Sequence, residues 1–367
     1  MRCKTIKTTG TAAIQLLCLC MVFFLFFIDF SWAVPKPLYG LCYGPFREGQ
    51  SPETGVFPTL AQNQEDLEIL QGTVRSIRTY GNDNILFQIS QLCQSHQLDC
   101  YVGTWISDDA EWNQGVIDGL IQVADANYST SQALLVGNEY LLWREFHYET
   151  TLINLITQLK TSVELSVSTA EPYHVWLAHP NLAAVVDFIG AHIHPYWEGV
   201  AIENAAQHAI DRYHLLKQSY PDKPVILLEV GWPSEGPAYG AAVASLENQR
   251  RFLKEFVYLA KKHDIKYFLF EAFDEPWKSK YGQVEAHWGL WDKHRILKAG
   301  LSNYLYSDPA DINKDLIVDV ADLRELAMDW LKHSNPTGPY RPGDINQDGI
   351  TNLLDLRFLA EKWLAVD

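Results

Sequence analysis

Eight short apolar runs, alternating with stretches patterned as amphipathic helices, constrain this chain more than any other feature. The runs cover residues 39–43, 74–80, 100–106, 133–136, 164–169, 186–194, 225–230 and 266–273. Helical patterning is clearest over 65–70, 84–94, 148–159, 203–218 and 245–262. Runs of Val, Ile and Leu are what strands buried on both faces look like in a parallel sheet. Eight strand–helix units over about 270 residues predict an α/β fold, the (β/α)8 barrel, whose usual size is about 250 residues. An open doubly wound sheet is the competitor, but no glycine-rich phosphate fingerprint follows the first run.

In such a barrel the chemistry sits where strands end, at the C-terminal mouth. The second run ends Arg78-Thr79-Tyr80-Gly81-Asn82 and the third Thr104-Trp105. The fourth ends Val136-Gly137-Asn138-Glu139-Tyr140, and the sixth His192-Ile193-His194-Pro195-Tyr196-Trp197. The seventh, Pro224-Val225-Ile226-Leu227-Leu228, ends at Glu229-Val230-Gly231-Trp232. The eighth leads into Phe273-Asp274-Glu275-Pro276-Trp277-Lys278. These ends are polar and aromatic where a plain turn carries Gly, Asn, Asp or Ser.

Glu229 closes an apolar run, where a carboxylate needs partners or a shifted pKa. Glu139 stands three units earlier, so the two carboxylates face each other across the mouth. Hydrolysis of a glycosidic bond needs such a pair: one is protonated to serve the leaving oxygen, the other ionised to attack the anomeric carbon. Asn138 is placed either to bind substrate or to hold Glu139. Period-two alternation groups Arg78 with Tyr80, and His192 with His194 and Tyr196. His192, His194, Tyr196 and Trp197 read either as filling beneath the site or as substrate contacts. Trp105, Trp143, Trp232, Trp277 and Trp288 are candidate sugar platforms, of which about half are expected to touch substrate. Asp108-Asp109-Ala110-Glu111 reads as a solvated loop, within the longer loop 107–115.

The net charge of −16 argues against nucleic acid as a partner. Arg2, Lys4 and Lys7 precede an apolar stretch over 12–28, and Ser31-Trp32-Ala33 offers a cleavage site. Residues 1–33 are therefore expected to be a signal peptide, or else an uncleaved anchor, and the protein secreted or held at the cell surface. Cys42, Cys93 and Cys100 lie beyond it. Cys93 and Cys100 read equally as a disulfide or as buried thiols. No Cys/His spacing suggests zinc, and catalysis is expected to need no cofactor.

The expected barrel domain covers 34–305, and a repeat follows over 306–367. Asp311-Ile312-Asn313-Lys314-Asp315 returns thirty-three residues later as Asp344-Ile345-Asn346-Gln347-Asp348. Asp322-Leu323-Arg324 returns as Asp355-Leu356-Arg357. The spacing fits a twelve-residue calcium loop, with oxygen ligands at positions 1, 3, 5, 7, 9 and 12. The first loop offers Asp311, Asn313, Asp315, the carbonyl of Ile317, Asp319 and Asp322. The second offers Asp344, Asn346, Asp348, the carbonyl of Ile350, Asn352 and Asp355. Two Ca2+ sites in a small all-α module are expected, the second favoured by Gly349 at the tight turn where the first has Leu316.

Four segments resemble glycoside hydrolase family 17. They are Tyr39-Gly40-Leu41-Cys42-Tyr43-Gly44-Pro45, Val136-Gly137-Asn138-Glu139, Leu228-Glu229-Val230-Gly231-Trp232-Pro233-Ser234 and Phe270-Glu271-Ala272-Phe273-Asp274-Glu275-Pro276-Trp277-Lys278. The last continues at Glu285-Ala286-His287-Trp288-Gly289-Leu290-Trp291. The resemblance implies a retaining hydrolase of β-1,3-linked glucan, or a transglucosylase using the same two carboxylates; a non-catalytic glucan-binding or surface-assembly protein is the further alternative, against which both Glu139 and Glu229 are present. Glu139 would be acid/base and Glu229 nucleophile. Glu275, Lys278 and Glu285 would orient the sugar and support the nucleophile, with Arg78 and Tyr80 near the same centre. Val230 stands where the plant enzymes usually have Thr, which is more like the bacterial branch. The C-terminal repeat, with Asp at position 12 of both loops, resembles a type I dockerin, which implies a cohesin partner.

Overall fold

The computed structural model describes residues 38–81, 87–142, 144, 148–302, 310–313, 318–334, 341–346 and 348–363. The expected signal segment, Trp143 and the boundary at 306 lie outside them. Eight strands are β1 (Leu38–Cys42), β2 (Val74–Arg78), β3 (Asp99–Thr104), β4 (Ser131–Asn138), β5 (Ser166–Pro172), β6 (Ile189–Ile193), β7 (Val225–Val230) and β8 (Tyr267–Leu269). They close a parallel barrel in chain order, with β1 meeting β8 at Leu41 and Leu269.

Alternation along the strands makes two cores. Cys42, Tyr101, Ala133, Leu135, Ala170, Phe188, Ile226, Leu228 and Phe268 fill the barrel interior. The alternate residues, such as Leu134, Val136, Val225 and Leu227, pack in the outer core with the helices. Strict alternation after Ile226 and Leu228 would send Glu229 outward. The β7–β8 pairing loses its regular register between Leu227 and Val230, and the β6–β7 pairing between Ala191 and His192. Such irregularities re-aim side chains. Here they accompany Glu229 and His192 facing the mouth.

The barrel helices are α1 (Leu60–Leu70), α2 (Ile89–His96), α3 (Ala110–Asp125), α4 (Tyr148–Lys160), α5 (Tyr173–Ala178), α6 (Pro180–Val185), α7 (Ile202–Ser219) and α8 (Leu246–Lys262). The expected loop over 107–115 is corrected: from Ala110 it is the first turns of α3. The acidic run misled because Asp109 is the N-cap, accepting from the N–H groups of Glu111 and Trp112. Caps and first turns favour exactly such side chains, Asp at the cap and Glu just inside. Cys42, Cys93 and Cys100 are buried free thiols, the second of the two readings.

Beyond the barrel, α9 (Val320–Asp329) and α10 (Leu353–Trp363) each follow an Asp-bearing loop. Ile312, Leu326 and Leu359 form their small core. Among the described residues no helix is long and apolar enough to cross a membrane.

The loops after β1 and β8 are joined by one buried carboxylate, Asp66 of α1. It takes Arg47 at 2.8 Å and Arg295 at 2.9 Å, and Tyr43 donates to it at 3.2 Å. Removing one partner of a buried ion pair strands the other charge, at about 3–5 kcal/mol. Asp66→Ala is expected to lose that much stability in denaturant unfolding; a loss below about 1 kcal/mol would contradict the role given to this cluster.

Candidate active site

The site is built on a cation. Arg78 closes β2, buried, and points into the mouth. Its Nη1 donates to Glu229 Oε1 at 2.6 Å, and its Nη2 donates to Asn138 Oδ1. The Tyr80 hydroxyl donates to the same Glu229 oxygen at 2.8 Å, under a guanidinium 4.3 Å from its ring centre. His194 Nε2 lies 3.1 Å from Glu229 Oε2. His192 stands between the carboxylates, Nδ1 2.9 Å from Glu139 Oε1 and Nε2 3.4 Å from Glu229 Oε1. One oxygen of Glu139 and one of Glu229 lie within 4.8 Å of each other.

These neighbours decide the charge of Glu229. Burial pushes its carboxyl up, but His192, Arg78 and His194 together hold it well below the usual carboxylate range. Glu229 is therefore ionised in water at neutral pH. Glu139 is set differently. Its side chain is 28% exposed. Its φ is +50°, two residues after Gly137 at φ +82°. A non-glycine residue in the left-handed region is uncommon and marks stored strain, which gathers at functional sites. Its N–H donates to Ala170 O of β5 at 2.8 Å, holding that conformation.

A second charged group lies on the β8 side. Lys278 Nζ is 2.5 Å from Glu271 Oε2 and 2.6 Å from Glu275 Oε2. Burial raises the Glu271 carboxyl well above its usual range, Lys278 draws it down and Glu275 raises it further. Gly44 leaves room for Glu275: a Cβ there would come within 2.2 Å of its Oε2. Glu285 is half-buried near this group. Burial raises its carboxyl, against Lys278 and His194.

The predicted residues thus divide. Glu139, Tyr80, His194, Lys278 and Glu285 reach the cleft at least in part, and Trp105 is half exposed at the end of β3. Trp232, Tyr196, Trp288, Arg78 and Glu275, all expected to contact substrate, are buried. Trp232 is buried, stacked on Phe252 with its Nε1 donating to Val243 O, because α8 covers that side of the turn. Tyr196 is buried with its hydroxyl on Pro237 O. Trp288 lies wholly beneath the His194 ring, 5.3 Å between ring centres. Arg78 holds Glu229 and Asn138 rather than a ligand. Glu275, also buried, acts through Lys278. His192 bridges the two carboxylates, a role that period-two alternation alone did not give it. Glu271, buried after β8, joins the charged group through its contact with Lys278, which its place in the sequence does not reveal.

Glu139, His192 and Glu229 are compact enough to hold a cation, but the Arg78 guanidinium already supplies that charge. In the C-terminal loops, Asp311, Asp322, Asp344 and Asp355 are buried. Asp322 accepts from the N–H groups of Asn313 and Asp319, and Asp355 from those of Asn346 and Asn352. Asp344 Oδ2 accepts from Ser334 and Gly349, whereas its Oδ1 is buried with no hydrogen-bond partner among the described residues. That oxygen, with Asn346, Asp348 and Asn352 in the same loop, is a donor set of the chemistry calcium takes. Asp348 and Ile350 lie in the same loop; Asp315 and Ile317 of the first lie outside the described residues.

The model of the BtgE/BtgC glycoside hydrolase domain matches residues 40–289. A glucan endo-1,3-beta-glucosidase, btgC, of Emericella nidulans is 28% identical over 301 residues, covering 72% of this chain and 46% of that protein. The chain thus spans less than half the length of the btgC relatives it matches. A glucan 1,3-beta-glucosidase of Schizosaccharomyces pombe is 27% identical, covering 65% of this chain and 79% of that one. Among solved structures, an active-site mutant of the Rhizomucor miehei beta-1,3-glucanosyltransferase in complex with laminaritriose is similar, with 29% identity and a TM-score of 0.64. That match covers 74% of this chain and 98% of the other.

Removing Arg78 takes away one of the charges that holds Glu229 low. In Arg78→Met the Glu229 carboxyl is expected to titrate at higher pH than in wild type, followed by carboxyl 13C NMR. An unchanged titration would contradict the electrostatics described.

Proposed function

The chain belongs to the family of the BtgE/BtgC glycoside hydrolase domain, and on that premise we propose that it cleaves β-1,3-linked glucan with retention. The observation that carries this reading is the carboxylate pair, with oxygens of Glu139 and Glu229 within 4.8 Å. Retaining enzymes hold the two groups about 5–5.5 Å apart, whereas inverting ones leave about 6.5–9.5 Å for a water. Ionised Glu229 attacks the anomeric carbon, the bond to the leaving oxygen breaks, and Glu139 gives that oxygen its proton. The glycosyl ester on Glu229 then meets water. Glu139 takes the water's proton as its oxygen bonds to the anomeric carbon, and Glu229 leaves as a carboxylate. Arg78, Tyr80 and His194 stabilise that carboxylate in its resting and departing states. Lys278 and Glu285 are the groups available to hold sugar hydroxyls, and the exposed Trp105 offers a ring face to a sugar.

The substrate reading rests on likeness to a glucan endo-1,3-beta-glucosidase and a glucan 1,3-beta-glucosidase and on the laminaritriose bound by the Rhizomucor miehei protein. The likeness to that transferase favours a second reading, in which a glucan hydroxyl replaces water in the second step.

The C-terminal loops are proposed to form a dockerin-like calcium module. Asp344, Asn346, Asp348, the Ile350 carbonyl, Asn352 and Asp355 would hold one ion; Asp311, Asn313, Asp315, the Ile317 carbonyl, Asp319 and Asp322 would hold the other. Bound calcium would fix the loops against α9 and α10, the state a cohesin partner would dock. Export through residues 1–33 completes the proposal.

Glu229→Gln and Glu139→Gln are each expected to lower kcat/KM on laminari-oligosaccharides by about a thousandfold or more, in variants shown by circular dichroism to be folded. Near wild-type activity in either variant would overturn the assignment. On the wild type, chain-extended products would mark transfer, and shortened products alone hydrolysis. Calorimetry of the full chain with CaCl2 is expected to give about two sites, and about one in Asp344→Ala. No binding at millimolar calcium would overturn the module's role.

A further inference from the structure

One buried carboxyl near the site has no part in the chemistry above. Glu171, the next-to-last residue of β5, is wholly buried. Its Oε1 accepts the N–H of Leu141 at 2.8 Å, and its Oε2 is buried with no hydrogen-bond partner among the described residues. Burial raises this carboxyl, the N–H groups of Leu141, Tyr140 and Leu142 pull it back and Glu139 pushes it up, to about 8 in all. Burying a carboxyl is unfavourable where an apolar side chain would fill the same space.

Its placement supplies a reason. Two consecutive residues of β5 bracket Glu139. Ala170 O takes the N–H of Glu139 at 2.8 Å, and Glu171 takes the N–H of Leu141 two residues on. Between these anchors runs the strained turn, with Glu139 at φ +50°. Glu139 is the ionisable side chain with the largest effect on Glu171. Arg144, the nearest cation along the turn, is engaged with the Tyr140 ring and carbonyl and with Asp108.

We propose that Glu171 is a positioning residue for Glu139: by accepting the Leu141 N–H it fixes the turn that aims the acid/base carboxyl at the leaving oxygen. The inference rests on the acid/base reading of Glu139. A displacement of about 1 Å in such a group costs on the order of a hundredfold in rate. The loss should fall on substrates whose leaving group needs a proton and spare those whose leaving group departs unaided.

The test uses the full chain and aryl β-laminaribiosides, comparing phenol with 2,4-dinitrophenol as leaving group. Glu171→Met keeps the volume and removes the acceptor. It is expected to lose about 10–100-fold in kcat/KM on the phenyl substrate and less than about threefold on the dinitrophenyl one. Glu171→Gln keeps the acceptor and is expected to stay within about threefold on both. Equal losses on the two substrates, or no loss on the phenyl one, would overturn the proposal. If Glu171→Met fails to fold, Glu171→Asp is judged by the same criteria. Glu139→Ala is the control on the underlying reading. It should show the steepest leaving-group dependence, and a flat one would refute the acid/base role whatever Glu171 does.

Discussion

The contact on which the mouth of this barrel depends is the buried pair of Arg78 and Glu229, 2.6 Å apart. Neither charge survives burial alone, since each would forfeit several kcal/mol of hydration. Barrel closure brings them together from strands far apart in sequence. The other hand of Arg78 holds Asn138, the last residue of β4, beside Glu139. His192 closes the circuit from β6 by touching both carboxylates. One guanidinium thus ties three strand ends into a single charged layer. With His192 and His194 it keeps Glu229 ionised where burial alone would neutralise it.

The architecture was legible because its signal is coarse. Eight apolar runs in alternation with helical stretches survive errors of two or three residues at each end. The carboxylate pair was legible for a related reason: in a parallel barrel every strand end faces the same mouth, so Glu139 and Glu229 needed only to be counted into place. What was not legible turns on which way a side chain points. Trp232 reads as a sugar platform because it follows Glu229, and only the packing of α8 shows its ring against Phe252. The register breaks in β6–β7 and β7–β8 leave no trace in composition, yet they accompany the inward turn of His192 and Glu229. Glu171 looks like an ordinary strand-end acid until Leu141 is seen on it.

The C-terminal module shows the opposite balance. The spacing of its Asp and Asn residues is the informative part, since a twelve-residue pattern of oxygen-bearing side chains repeats. The geometry adds that Asp322 and Asp355 occupy equivalent places, each accepting two backbone N–H groups across its loop. It also adds the unpartnered oxygen of Asp344.

The central claim is that Glu229 becomes covalently bonded to the sugar. A 2-deoxy-2-fluoro-β-laminaribioside with a dinitrophenolate leaving group slows the second step more than the first, so the ester accumulates. Mass spectrometry of the intact protein and its peptic peptides then locates the sugar. The account predicts one added fluoro-laminaribiosyl group, on the peptide carrying Glu229, and none in Glu229→Gln. Burst release of dinitrophenolate without an adduct, or an adduct on Glu139 or Glu271, would contradict it.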